Sequence, residues 1–401
     1  MRHPIRIILL VAMLSACVGS IPETATQPAA VVTTLPASPT APPTATPYPP
    51  TATNSPVTVT STPSPVAYGP DNFPVNIDPL TAMQISNPTL LERRPVAIKV
   101  QIFPRGQRPP WGVSMADLVF DYYQNYGLTR FHSIFYGNDA EVVGPIRSAR
   151  LLDIDLVSMY RTIFAFGSAE QRTYSRLFSN EFASRLVVEG STNCPPLCRV
   201  DPNGYNYLVT NTSELSKYIT QKGVDNVRQN LNGMTFNQTL PGGGQPGQQL
   251  FIRYSISAYL HWNYDPGTGR YLRFQDTQEA PDQPSEGYLP LTDRLTGQQI
   301  AADNVVVLIA PHKFAFNTQS GPSEVIDILL SGSGPAYAYR DGQLFQTSWN
   351  RPAKDGILFL SLPDGTPYPY KPGNTWYEVI GQSSKIQNDV PGVWRFQFWI
   401  P

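Results

Sequence analysis

Cysteine and histidine are scarce, with three and four residues in a chain of 401. So few cysteines exclude a disulfide-knit scaffold or a cysteine-rich zinc module. The histidines, at positions 3, 132, 261 and 312, include no pair at metal-ligand spacing, so no metal and no other cofactor is expected. Charge is thin as well. Charged residues make up 15% of the chain and nearly cancel, 29 basic against 30 acidic. That balance lacks the basic excess of a nucleic-acid binder, and no nucleic acid is expected as a partner. No apolar run reaches the ~18 residues of a membrane-spanning helix.

The longest candidate, Ile7 to Leu14, follows Arg2 and Arg6, a positive flank before a short apolar core. That pattern reads as a secretory signal covering residues 1–16. Leu14-Ser15-Ala16-Cys17 then resembles a bacterial lipobox, in which the Cys17 thiol accepts the lipid and becomes the new terminus. Each buried methylene of an acyl chain contributes about 0.8 kcal/mol, so two or three chains anchor a protein without a helix in the bilayer. The expected address is the outer face of the bacterial cytoplasmic membrane, in the cell envelope.

Residues 18–73 form a different material. Between Val18 and Pro70 the only charged residue is Glu23, and positions 21–70 hold 13 Pro and 12 Thr. Such a composition buries too little apolar surface to offset the entropy of ordering, so a disordered Pro/Thr-rich linker is expected. At about 3.1 Å per residue in polyproline II, it reaches on the order of 150 Å.

The rest is aromatic and strand-rich. More than 300 residues exceed what one core usually supports, so two lobes are expected, 74–232 and 250–401, parted by the Gly/Pro/Gln-rich stretch 232–249. In the first lobe, residues 95–103, 116–123 and 128–136 read as strands, the last two as a hairpin. Helices are expected at 151–161, 169–178 and 213–220, the last capped by Thr212, with a buried strand at 162–168 between the first two. The second lobe repeats aromatic alternation around turns, with Asp341-Gly342 and Asp364-Gly365 as hairpin signals and an apolar strand at 304–311. The class is α+β, a mixed α/β first lobe and a mostly antiparallel β second lobe.

Val143-Gly144-Pro145-Ile146-Arg147-Ser148-Ala149-Arg150 lies between a strand and a helix start. Helix starts carry free N–H groups and partial positive charge. Two guanidinium groups three residues apart add bidentate donors for carboxylate or phosphate, and Ser148 is placed to cap the helix or bind the same anion. Arg130, in a Thr-Arg-Phe step, is expected near the same edge, with Asp117 opening the preceding strand. The alternative is that the arginines merely brace the lobe against Asp117, Asp153 or Asp155. No nucleophile–base set is legible. Asp117 and His312 are weak catalytic candidates, and His132 reads as a structural strand histidine. Cys194 and Cys198, in Cys-Pro-Pro-Leu-Cys, suit a local disulfide in an oxidising compartment. The aromatic supply fits cross-strand packing, with sugar stacking as the alternative.

These residues carry a resemblance. The steps RPVAIKV, GVSMADLVFDYY, GLTRF and VGPIRSAR, with NVVVL and PGNTW in the second lobe, are similar to the YerB-like bacterial lipoproteins, a domain family of unknown function. The similarity covers roughly residues 75–401 and implies a two-part α+β body on a lipid anchor, with no activity to carry over. One departure is Tyr205 in DPNGYNYLVTNTSEL, where family members commonly place a His. The reading that follows is non-catalytic binding of an anionic envelope component or partner protein through an Arg-rich cleft. The alternative is a hydrolase of cell-wall glycans or phosphodiesters.

Overall fold

The computed structural model describes residues 67–201, 207–320 and 324–400. The leader, Cys17, residues 18–66 and Tyr205 lie outside that range. The first lobe begins with β1 (Val96–Gln101), buried along its whole length, as a strand covered on both faces requires. β2 (Leu118–Asn125) and β3 (Leu128–Phe135) form the expected hairpin, turning through Tyr126 and Gly127 at φ of 52° and 78°. Then come α1 (Leu151–Tyr160), β4 (Ile163–Phe166), α2 (Gln171–Phe178), β5 (Leu186–Val188) and α3 (Thr212–Gln221). The cap of α3 is Asn211, whose side chain accepts from the Glu214 N–H, rather than Thr212. Thr212 instead donates its hydroxyl to Asp139 at 2.6 Å.

In the second lobe β6 (Gln249–Arg253), β7 (Tyr259–Asp265) and β8 (Arg270–Asp276) form a meander. β9 (Asn304–Ala310), β10 (Gly332–Arg340), β11 (Gln343–Arg351), β12 (Thr375–Gly381), β13 (Lys385–Val390) and β14 (Val393–Gln397) follow. Asp341-Gly342 closes the β10–β11 hairpin with both φ positive, 51° and 72°, as its sequence requires. Asp364-Gly365 also turns its flanks back on each other: the Leu362 N–H donates to the Thr366 carbonyl at 2.8 Å, the Tyr368 N–H donates to the Leu360 carbonyl at 2.9 Å, and Ser361 bridges antiparallel to Pro367. Residues Phe359–Ser361 pair with β11, whereas Pro369–Tyr370 run parallel to Thr235–Asn237.

The class is α+β, with all three α-helices of the described residues in the first lobe. The lobes share a sheet. In the larger one the order is β11-β10-β9-β12-β2-β3-β1-β4-β5, so that β12 of the second lobe lies beside β2 of the first. The smaller sheet, β8-β7-β6-β14-β13, comes wholly from the second lobe. Strands β1, β2, β4, β5, β9 and β12 all run the same way, so their carboxyl ends lie along one edge. One hydrophobic core, reaching from Leu80 to Phe398, packs both sheets. The linker ends earlier than its composition suggests. Ala67 and Tyr68 pair with Phe236 and Asn237, and Phe73 packs between Tyr68 and Phe236, so residues 67–73 belong to the folded body.

Arg273 of β8 crosses from the smaller sheet to the larger. Its guanidinium donates to Asp121 of β2 at 2.6 Å and Glu378 of β12 at 2.8 Å, two carboxylates that face each other in register. All three are fully buried. Burial pushes the Glu378 carboxyl up to about 7 against the pull of Arg273.

A half-buried group is less well served. His261 lies 4.4 Å from the Phe274 ring, 4.7 Å from Tyr288 and 4.8 Å from Phe251, with no hydrogen-bond partner for either ring nitrogen among the described residues. Burial pushes it down to about 4 from 6.5. The unfolded ring therefore takes a proton that the folded one refuses, and stability is lost as pH falls from 6.5 towards 4. We expect His261→Phe to raise stability at pH 7 by about 1 kcal/mol. Urea unfolding at pH 7 and pH 5 should show this gain growing on acidification.

Candidate functional site

Residues 143–150 lie extended across the carboxyl ends of β1 and β4. Ile146 bridges to Val100, Arg147 N–H donates to the Lys99 carbonyl, and Gly167 N–H donates to the Arg147 carbonyl. Gly144 is needed for the approach: a Cβ there would lie 2.8 Å from the Leu208 carbonyl oxygen. The segment ends in α1, where Arg150 is the N-cap residue and Asp153 accepts its backbone N–H at 2.6 Å. α2 also starts at this edge, following β4. The carboxyl edge of parallel strands, next to helix starts, is where ligands collect in sheets of this kind.

Three guanidinium groups meet here, each only partly exposed. Arg130 donates to the Ser148 carbonyl at 3.1 Å. Arg150 donates to the Ala149 carbonyl at 2.9 Å and to Asn125 Oδ1 at 3.2 Å. Arg147 Nε donates to Gln101 Oε1 at 3.0 Å. The Ser148 hydroxyl is shared with that of Ser168 at 2.8 Å. Among the described residues Arg130 and Arg150 form no ion pair; every partner named is neutral. Burial, then Arg150 and Arg147, hold the Arg130 guanidinium well below its usual value.

Beneath the arginines lies a fully buried polar cluster, Lys99, Tyr122, His132 and Asp153. Asp153 Oδ1 accepts from Lys99 Nζ at 3.3 Å, from His132 Nδ1 at 2.8 Å and from the Tyr122 hydroxyl. Lys99 also donates to the Tyr122 hydroxyl. Burial pushes the Lys99 ammonium down to about 7, with Arg130 and Arg150 adding to the push and Asp153 opposing it. Burial alone would raise Asp153, but Lys99 and the bonds from His132 and Tyr122 hold it well below the usual carboxylate range. Burial holds the His132 imidazole below its usual value, against the pull of Asp153. Four basic side chains thus surround a carboxylate that balances one of them; Glu170 is the next carboxylate that Arg150 feels.

The arrangement differs from the one read in the sequence. Asp117 is not part of it. The β2–β3 register sets Tyr122 opposite Arg130 and places Asp117 five residues back, roughly 16 Å at the rise of a strand. There Asp117 Oδ2 accepts the Tyr136 and Gly137 N–H groups at 2.5 and 3.0 Å, and burial raises it to about 6. His312 does not join the arginines either. It starts the short strand His312–Phe314, its Nδ1 faces the Ala310 carbonyl at 2.9 Å, and its ring packs edge-on against Phe398. Of the bracing acids, only Asp153 stays beside the arginines. Asp155 pairs with Arg351 at 2.9 Å, and Asp153 meets Arg150 through the backbone. The guanidinium groups are part-buried at the sheet edge, and none of them lines the 420 Å³ groove beside Tyr254 and Phe398. Cys194 and Cys198 are joined in a disulfide.

Lys99, Tyr122, His132 and Asp153 were not assembled from the sequence. A signal existed: a lysine inside the apolar run PVAIKVQIF is rarely buried without a partner. Its partner lies on a helix distant in sequence.

Comparison with known proteins gives a consistent result. Residues 80–225 match the model of the DUF3048 N-terminal domain and residues 250–377 that of its C-terminal domain, both described as of unknown function. YerB of Bacillus subtilis (strain 168), a protein named as a lipoprotein, is 27% identical over 310 residues, covering 75% of this chain and 85% of YerB. The crystal structure of YerB from Bacillus subtilis superposes with a TM-score of 0.62 at 25% identity, covering 76% of this chain and 96% of that one. With both halves of its body matched in order, the chain belongs to the YerB-like family and carries the two DUF3048 domains.

Proposed function

We infer that this is a lipid-anchored lipoprotein of the outer face of the cytoplasmic membrane. In this reading Cys17 is the lipidated residue once residues 1–16 are removed, and residues 18–66 space the body from the bilayer. Its role is non-catalytic binding of an anionic envelope component through Arg130, Arg147, Ser148 and Arg150. The lipobox-like leader and a relative named as a lipoprotein support the address. The binding role is supported by one observation, that guanidinium groups gather at the carboxyl edge of the sheet with neutral groups as the hydrogen-bond partners of Arg130 and Arg150.

The test is calorimetric titration of the full-length protein in detergent with inorganic phosphate and with polyglycerol phosphate. A charge-assisted hydrogen bond contributes ~1.5–3 kcal/mol, so the Arg147→Ala/Arg150→Ala pair should weaken binding by about a hundredfold. Binding should also weaken with added salt. Unchanged affinity in a double variant that keeps its circular dichroism spectrum and melting temperature would overturn the reading.

Lys99 gives the site a pH dependence of known sign. Below about 7 the ammonium is charged and adds to the field of the arginines; above it the charge is lost. Affinity for polyglycerol phosphate, whose diester charge is constant over this range, should fall as pH rises from 6 to 8.5, by about fivefold for ~1 kcal/mol of lost attraction. In Lys99→Met the same titration should be flat.

A further inference from the structure

Across the β2–β3 turn from the arginines lies a groove of about 420 Å³ lined by Tyr123, Tyr254, Ser255, Ile256, Phe398 and Trp399. Phe398 stacks on Tyr123 at 4.8 Å and lies tilted against Tyr254 at 5.6 Å, which fixes an aromatic wall. Trp399 is 61% exposed and Ile256 50%, although both follow well-packed strands. The backbone N–H of Trp399 is tied to Ser384 Oγ at 3.2 Å. The hydroxyls of Tyr123 and Ser255 are already spent, on Glu324 and on the Gly127 carbonyl. The exposed side-chain amide of Gln397 lines the same groove and makes no hydrogen bond among the described residues. An open indole face beside an unused carboxamide suits a ligand with one apolar and one hydroxylated aspect, which is how a pyranose ring presents itself.

The groove and the anion site are neighbours. Arg150 holds Asn125, and Gly127, two residues on, lines the groove, so the separation along the chain is no more than about 7 Å. Tyr126, between them, is 57% exposed and near enough to influence the charge of Arg150.

We propose that the groove is a saccharide subsite continuous with the arginine cluster, so that the ligand is an acidic polysaccharide. One sugar ring lies against Trp399 while a carboxylate or phosphate of the same chain reaches Arg150 and Arg147. The charge half rests on the anion-binding reading above, and the sugar half does not.

Full-length protein in detergent is titrated with a tetra-galacturonate, with neutral tetra-N-acetylglucosamine and with inorganic phosphate. The acidic oligosaccharide should bind at least tenfold more tightly than either other probe. Trp399→Ala should cost it about tenfold, ~1.4 kcal/mol, and leave phosphate affinity unchanged. Trp399→Phe should retain most of the affinity, which separates stacking from a folding defect. If phosphate binds through the arginines but the acidic sugar gains nothing over it, or Trp399→Ala is silent, the saccharide subsite is refuted and the anion site survives. If the neutral sugar binds as well as the acidic one, the joint site is refuted. Should none of the probes bind, both readings fall together.

Discussion

Arg273→Met should lower the unfolding free energy by about 3–5 kcal/mol, the cost of leaving buried carboxylates without their cation. The substitution keeps much of the side chain's volume, so the loss is electrostatic rather than steric. Arg273 is enclosed by Phe131, Trp262 and Trp376, whose ring centres lie 4.8 to 5.3 Å from its guanidinium carbon, and no solvent route is left for Asp121 or Glu378 to recover hydration. Asp121 Oδ1 already has no hydrogen-bond partner among the described residues. The variant's carboxylates should stay protonated to higher pH than in the parent. A group whose folded value is raised binds a proton the unfolded chain releases, so the defect should be smallest in acid and grow as pH rises through 7. Adding Glu378→Gln should return part of the loss, because the amide oxygen can still accept from the Trp262 indole, which lies 3.0 Å from Glu378 Oε1. Guanidinium chloride titrations of the single and double variants at pH 5 and pH 8 measure both effects. A loss below 1 kcal/mol at pH 8 would show that this charge cluster does not hold the two sheets together.

Asp153→Asn is the second large effect. The carboxylate is shared by Lys99, His132, Tyr122 and the first turn of α1. Removing its charge leaves a buried ammonium beside the guanidinium groups of Arg130 and Arg150, again about 3–5 kcal/mol. Lys99 should then shed its proton well below pH 7, and the stability lost should be greatest at acid pH. Lys99→Met in the same chain removes the orphaned cation, so the double variant should be more stable than Asp153→Asn alone. This coupling is the signature of a pair, and strictly additive losses would contradict it.

What the sequence discloses is local. The β2–β3 and β10–β11 turns were legible because Tyr126-Gly127 and Asp341-Gly342 declare their left-handed backbone within two residues. The position of α1 followed from apolar spacing and that of α3 from a cap read one residue late, at Thr212 rather than Asn211. The shared sheet was not legible. The partner of β2 is β12, and nothing in the two stretches states that Leu118 will face Thr375. The same limit applies to the site. VGPIRSAR pointed to Arg147 and Arg150, but Asp117 and Arg130 join in the sequence only because they flank one hairpin, whose register sends them to opposite ends. His132 read as an isolated strand residue because Asp153, its partner, arrives from a helix.

The β12–β2 pairing has a practical consequence for anyone dissecting this molecule. The gap near residues 238–248 invites a cut into two pieces, yet a piece ending there would bare the flank of β2 where Thr375 to Val379 should dock. A protease nick at Gly242 or Gly243 should therefore leave fragments that migrate together until denatured, while either fragment made alone would tend to aggregate. The split is written in the chain, but the solid object has no matching seam.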